Sequence, residues 1–213
     1  MFITADNTLG FIHITKTGGT SVVSAFKNIS ITHVCRTHAL YGEYKDKSPT
    51  QWFATMRHPA ARLHSGYYYQ LEWDYKRYIG ELPLKSDLTK EFLQERIDLF
   101  KQYGFVNTVI SNEFKNKYNI LKEKYNIKSV NVLEQMQSIC KYISGCENIK
   151  LFDIETQSAD LFNWIRQYYP KIEYTHIHQT KNKKPWNNEV TSKLKEYIEI
   201  NYSDDLNFFG YQL

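Results

Sequence analysis

The chain has 213 residues, of which 42% are hydrophobic and 23% charged, and its formal net charge is +4. This length fits one domain with a buried core, and the composition lies in the globular range, which excludes a wholly disordered chain. A net charge this small does not indicate a nucleic-acid-binding protein, because such binding requires a clustered basic surface.

Three cysteines, Cys35, Cys140 and Cys146, are spread along the chain. Their odd number and their spacing predict neither a disulfide framework nor a zinc site, and favour a reducing compartment. The N-terminus lacks the basic start and apolar run of a signal peptide, and no run of about 18 apolar residues follows. We therefore expect a soluble, cytoplasmic protein without a membrane span.

Strands and helices alternate along the first third of the chain. The apolar run 9–14 predicts a strand that breaks at Thr17-Gly18-Gly19, and a helical pattern follows from Thr20 to Asn28. Residues 29–35 and 52–56 predict two more strands. Pro59 stands at a plausible first helical position, and the helix is expected to run to about Leu71.

The rest of the chain continues the alternation. Residues 88–145 are predicted to be mostly helical, 149–154 form a further strand, and helices follow at 158–169 and 188–202. Strands alternating with helices indicate an α/β fold with a central parallel sheet flanked by helices, and we expect one domain over residues 1–213. Ligands of such sheets bind beyond the carboxyl ends of the strands, where both motifs described next are located.

The first motif, residues 16–21, lies between a predicted strand and a predicted helix. Glycines there let backbone N–H groups approach a phosphate, and Lys16 can neutralise its charge. The order differs from the nucleotide triphosphatase loop, because the lysine precedes the glycines. A simple glycine turn with a capped helix is the alternative. The candidate binding residues are Lys16, Thr17, Gly18, Gly19, Thr20 and Ser21.

The second motif, residues 56–69, begins at the end of a predicted strand. Arg57 can grip a phosphate there with two parallel hydrogen bonds, although an ordinary salt bridge is the alternative. Ser65 follows about two helical turns later and can reach the same anion. Arg62 joins them, or it has a surface or helix-packing role instead.

Together the two motifs resemble the PAPS-dependent sulfotransferases, most closely the carbohydrate type related to heparan sulfate 2-O-sulfotransferases and their bacterial relatives. The resemblance covers about residues 9–70 and implies a P-loop-like three-layer domain. It implies that residues 16–21 cradle the 5′-phosphosulfate of 3′-phosphoadenosine-5′-phosphosulfate (PAPS), and that Arg57 and Ser65 hold its 3′-phosphate. The sequence departs from the family pattern at Thr15, usually proline, and at His58, often Asn or Asp.

The segment Cys35–Leu40 resembles the family segment that supplies a histidine base, which makes His38 the candidate base and His33 the alternative. We expect His13 to be a core residue and His64 to be exposed. Lys181 and Asn182, in a basic loop, resemble the late loop that closes over the nucleotide. His176 and His178 lack further ligands at metal spacing, and no metal is expected.

The resemblance leads us to expect transfer of a sulfuryl group from PAPS to an acceptor hydroxyl, with a carbohydrate as the favoured acceptor and Lys16 and His38 as the catalytic residues. Sugar-binding groups are available between Glu72 and Arg77, which equally suit a solvated helix end. A kinase-like phosphoryl transferase, with Asp153 as its acid, is one alternative. A non-catalytic nucleotide- or polysaccharide-binding protein with a binding face at Tyr67–Tyr69 is another.

Overall fold

A computed structural model describes residues 1–32, 38–43, 46–173 and 185–213. These residues divide into two compact units. Unit 1 comprises residues 1–59, 137–173 and 204–212, and unit 2 comprises residues 60–136, 185–203 and 213. The single sulfotransferase domain over residues 1–213 stays a prediction.

Unit 1 is built on a five-stranded mixed sheet with the strand order β3-β1-β2-β4-β5. Strands β2, β4 and β5 are parallel, whereas β1 runs antiparallel to both β2 and β3. The sheet is therefore parallel only in part, which corrects the expectation of a parallel sheet. Sequence reasoning missed β1 because a three-residue strand is too short for an alternating pattern. The strands are β1 (Phe2–Thr4), β2 (Leu9–Ile12), β3 (Ile31–Thr32), β4 (Gln51–Met56) and β5 (Ile149–Asp153).

Both faces of this sheet are buried, and successive residues of a strand belong to opposite faces. Phe11 and Phe53 belong to one apolar cluster, while their neighbours Ile12 and Ala54 belong to the other. Each phenylalanine buried in this way stabilises the fold by about 1.5–3 kcal/mol. Helices α1 (Gly19–Ala25) and α6 (Ser158–Arg166) contribute to the first cluster and α5 (Ile139–Ile143) to the second, so helices flank both faces.

Among the described residues, four helices belong to unit 1 and four to unit 2. Those of unit 1 are α1 (Gly19–Ala25), α5 (Ile139–Ile143), α6 (Ser158–Arg166) and α8 (Ser203–Phe209). Those of unit 2 are α2 (Pro59–Tyr78), α3 (Lys90–Ile110), α4 (Asn112–Lys124) and α7 (Ser192–Asn201). Short 3₁₀ helices lie at Phe26–Asn28, Tyr41–Glu43 and Trp186–Glu189. No helix in the described ranges is long and apolar enough to cross a membrane.

Side-chain caps set the starts of three helices in unit 2. Thr89, Ser111 and Thr191 accept backbone N–H groups at the starts of α3, α4 and α7, which satisfies donors that have no partner inside the helix. Residues 132–135, expected to be helical, form turns instead, because Asn131 Oδ1 accepts the N–H groups of Leu133 and Glu134.

A buried ion pair joins the two longest helices of unit 2. Arg96 of α3 donates to Asp74 Oδ1 of α2 over 2.5 Å, and both side chains are almost completely buried. Gln70 also donates to Asp74, and its own carbonyl oxygen accepts the N–H of Val132. Asp74 therefore holds the helices together, and this argues against the sugar-binding role considered for it.

Candidate functional site

The loop between β2 and α1 has an unusual backbone. Lys16 (φ 62°) and Gly18 (φ 79°) both lie in the left-handed region, which side chains other than glycine seldom adopt. A Cβ atom at Gly18 would also lie 2.8 Å from a side-chain carbon of Ile154. The loop therefore requires glycine at this position, and it holds Lys16 in a conformation that costs about 1–3 kcal/mol.

Two threonine side chains hold the loop in place through hydrogen bonds. Thr17 is fully buried, and its hydroxyl donates to the carbonyl oxygen of Ile14 and accepts from Thr55 Oγ1, both over 3.0 Å. Thr15 Oγ1 forms a 3.0 Å hydrogen bond with Tyr142 Oη. The Thr15 side chain thus connects the loop to α5. Because the Thr17 hydroxyl is engaged inside the protein, the part of Thr17 that can face an anion is its backbone.

The other residues of the first motif differ in exposure. Gly18 and Thr20 are exposed, Lys16 is half-buried, and Gly19 and Ser21 are buried. The N–H of Ser21 donates to the Gly18 carbonyl over 3.0 Å, which begins the first turn of α1. The exposed surface of the loop therefore consists of Lys16, Gly18 and Thr20.

His13 is the first residue after β2, and only 8% of its surface is exposed. A Cβ atom at Gly19 would overlap the His13 ring, so Gly19 is required by close approach. Burial lowers the pKa of His13 well below its ordinary value, and the nearby His38 lowers it further. His13 is therefore a neutral imidazole at the base of the loop. Its predicted burial is confirmed, but sequence reasoning missed its place within the candidate site.

His38, the candidate base, contacts His13 directly. Its Nδ1 lies 3.0 Å from the His13 carbonyl oxygen, and the two rings meet edge to face with centroids 4.5 Å apart. Because a carbonyl oxygen only accepts, Nδ1 carries a proton, and the neutral ring then has its lone pair on Nε2. This tautomer suits a general base that acts through Nε2.

Arg57 follows β4 and is held by a carboxylate. Its Nη2 donates to Glu155 Oε1 over 2.9 Å, and Glu155 lies just beyond the end of β5. Arg57 Nε is buried and has no hydrogen-bond partner within the described ranges. The guanidinium therefore retains an unmet donor beside an ion pair, an arrangement that a phosphate with several oxygens could satisfy.

The C-terminal residues reach the same edge of the sheet. His58 Nε2 donates to the carbonyl oxygen of Gln212 over 3.0 Å, and its ring contacts Tyr211. Tyr211 Oη donates to Asp153 Oδ2 over 2.8 Å, and Asp153 Oδ1 accepts the N–H of Glu155. Both oxygens of Asp153 are thus engaged, which weakens its proposed role as the acid of a kinase. No local sequence pattern links residues so far apart along the chain.

The remaining residues of the second motif lie on α2 in unit 2. Ser65 is 8% exposed and Arg62 is 1% exposed. Ser65 belongs to the second turn of the helix that begins two residues after Arg57. Its pairing with Arg57 on one phosphate stays a prediction.

The expectation that His64 is exposed is wrong. His64 is almost completely buried; its Nε2 lies 2.8 Å from Glu189 Oε2, and its ring contacts Phe105. Tyr68 donates to the same Glu189 oxygen, and Tyr67 is buried with its hydroxyl on the Phe100 carbonyl. The aromatic run therefore packs within unit 2, and this argues against the binding face considered for Tyr67–Tyr69.

Several candidates lie outside the described residues, namely His33, His176, His178, Lys181 and Asn182. Within the described ranges, no group of three or more His, Cys, Asp or Glu side chains is placed to hold a metal ion. Comparison of the chain with models of known protein families, with curated proteins and with solved structures gives no match.

Three groups of chemically useful residues thus lie at the carboxyl ends of β2, β4 and β5. They are a glycine loop that contains the half-buried Lys16, a pair of contacting histidines, and an arginine whose Nε has no partner among the described residues. Cationic groups and backbone amides can bind an anion and stabilise negative charge that develops on it. A neutral histidine can accept a proton.

Proposed function

We propose that the chain is a PAPS-dependent sulfotransferase with a P-loop-like fold, and that it transfers a sulfuryl group to an acceptor hydroxyl. The acceptor that we propose first is a carbohydrate. The observation that carries the proposal is the geometry of the loop after β2. Its backbone is left-handed at Lys16 and Gly18, and Gly19 lies directly against the ring of His13, which contacts His38. The choice of a carbohydrate rests on the sequence resemblance alone.

In this proposal the exposed surface of the loop binds the 5′-phosphosulfate. The donor supplies an activated sulfuryl group, and the acceptor oxygen forms a bond to sulfur as the bond from sulfur to the phosphate oxygen breaks. The bonding pair leaves with the phosphate, where Lys16 and the loop amides stabilise the developing charge. His38 Nε2 takes the acceptor proton, and the His13 carbonyl holds the His38 ring in the required orientation.

Arg57 binds the 3′-phosphate in this proposal. Its unmet Nε and its Nη2 face a bidentate acceptor once Glu155 is displaced. Neutralisation by Lys16 and the amides takes the place that a magnesium ion fills in nucleotide triphosphatases. We therefore propose that turnover needs no metal.

Calorimetric titration with 3′-phosphoadenosine-5′-phosphate, without magnesium, tests the proposal. We expect saturable binding that depends on the 3′-phosphate, and a loss of at least about tenfold in Arg57→Ala, the size of one charged hydrogen bond. Arg166→Ala is the control, because it removes the same charge from an exposed position of unit 1.

Adenosine triphosphate with magnesium is titrated in parallel. A preference for magnesium and the triphosphate would favour the kinase-like alternative. Binding without transfer to any acceptor would favour a nucleotide-binding protein. If the 3′-phosphate has no effect on affinity, the sulfotransferase proposal is wrong.

A further inference from the structure

A cavity of about 300 Å³ is lined entirely by residues of unit 2. Aromatic side chains and aliphatic side chains of α2, α3 and the segment after α4 form much of its wall, and polar side chains form the rest. The aromatic residues are Phe114, Tyr118, Tyr197 and Tyr202. Such a wall favours flat or ring-shaped apolar molecules.

Thr108 contributes an unmet polar group to this wall. The residue is 3% exposed, and its Oγ1 has no hydrogen-bond partner within the described ranges. A helical threonine normally donates to the carbonyl four residues earlier. That carbonyl belongs to Gly104, whose backbone (φ 65°, ψ 178°) departs from the helix. The kink in α3 therefore deprives the Thr108 hydroxyl of its ordinary acceptor.

Tyr118 offers a second polar group. Arg96 Nη1 lies 3.5 Å from its phenolic oxygen and can only donate, so the Tyr118 O–H hydrogen is left for another acceptor. In contrast, Asn131 and Glu134, which also line the cavity, are already engaged with backbone N–H groups of their own turn. Lys115, whose Nζ lies over the Tyr197 ring, and Asn119 also line the cavity, and most of the remaining wall is apolar.

These features limit the ligand to one chemical class. An engineered cavity of about 150 Å³ accepts benzene, so this cavity has room for about two fused rings. A sugar would bury many hydroxyl groups with too few partners, at about 1–3 kcal/mol for each unpaired group. We propose that unit 2 binds a small uncharged aromatic or alicyclic molecule that has one or two hydroxyl or carbonyl groups, with Thr108 as its polar contact.

The proposal is tested by titrating the full chain with phenol, indole and 2-naphthol, and with methyl glucoside as the polar comparison. Calorimetry gives the affinity, and the shift in Tm that a bound ligand produces gives an independent measure. We expect saturable 1:1 binding of at least one ring compound, with 2-naphthol the tightest, and no binding of the glucoside.

Two variants locate the binding. Leu133→Trp fills the cavity from its wall, whereas Val130→Trp adds the same ring at an exposed position of the same segment. We expect Leu133→Trp to abolish binding and Val130→Trp to retain it. Val109→Phe fills the same space from α3 and replaces Leu133→Trp if circular dichroism shows that the latter does not fold.

A third variant tests the polar contact. Thr108→Val keeps the shape of the side chain and removes its hydroxyl, so 2-naphthol should bind about fivefold more weakly, the size of one neutral hydrogen bond. The proposal is overturned if none of the three ring compounds binds, if the glucoside binds more tightly, or if Leu133→Trp binds as well as Val130→Trp. Because no part of unit 1 is altered, the result is independent of the sulfotransferase assay.

Discussion

His13 couples the protonation state of one side chain to the stability of unit 1. Burial of its ring lowers the pKa of His13 well below 6.5, so the folded protein keeps it neutral under conditions in which the unfolded chain protonates it. The unfolded state then binds more protons than the folded state, and protonation favours unfolding. The stability contributed by neutral His13 is complete above about pH 6.5 and is lost as the pH falls towards its folded pKa.

We therefore expect the free energy of unfolding to fall between pH 7 and pH 5, and to fall less steeply in His13→Gln. One proton contributes at most about 1.4 kcal/mol per pH unit to this slope. Urea unfolding at pH 7, 6 and 5 measures it for both proteins. His58, whose pKa burial also lowers, is present in both and contributes equally. Equal slopes in the two proteins would show that His13 does not titrate in this way.

Helix α3 contains a break in its backbone that the sequence pattern does not predict. Gly104 adopts φ 65° and ψ 178°, a combination essentially confined to glycine, within a segment whose apolar residues repeat with helical spacing. A Cβ atom at this position would meet nothing within 4 Å. Any cost of adding one is therefore backbone strain and not a clash.

Gly104→Ala should accordingly destabilise the protein by about 1–3 kcal/mol, the cost of forcing alanine into this region. An ordinary glycine in a helix behaves in the opposite way, because alanine there is more favourable by up to about 1 kcal/mol. Gly42→Ala is the matched control, since Gly42 has no positive φ and the same open space around its Cβ position. Chemical unfolding compares the two variants, and a stabilised Gly104→Ala would contradict the assigned backbone.

Across the whole molecule, the sequence predicts the elements better than it predicts their partners. Periodicity locates β2, β4, β5 and most helices because apolar spacing follows local geometry. It misses β1, which is too short to show a period, and it does not predict that β1 runs antiparallel to its neighbours. It also fails at residues 132–135, where a single asparagine side chain replaces helical hydrogen bonds with turn bonds.

The candidate site, too, is predicted from the sequence only where its chemistry depends on neighbouring residues. Glycines and a lysine between a strand and a helix indicate the loop, because that chemistry is local. The Arg57–Glu155 pair and the Tyr211–Asp153 bond involve residues far apart in the chain, so no spacing reveals them. The burial of His64 cannot be predicted from local sequence, because its partner Glu189 comes from the segment before α7. Contacts between distant segments thus account for most of what the sequence does not predict.

Because Arg57 is already paired with Glu155, an anion that binds Arg57 exchanges places with this carboxylate. In the proposed site, Glu155 is an intramolecular competitor that an incoming anion displaces, so the affinity for the anion is the difference between two arginine complexes. A weakly charged or monodentate anion gains too little from the exchange, whereas a phosphate that also satisfies Arg57 Nε gains an additional hydrogen bond.

If the proposed function holds, we expect Glu155 to set the selectivity of the site for multiply charged anions. Glu155→Gln should bind 3′-phosphoadenosine-5′-phosphate more tightly and should also discriminate less against inorganic sulfate, which competitive calorimetry measures directly. Unchanged affinity for both ligands would mean that Arg57 does not meet the anion.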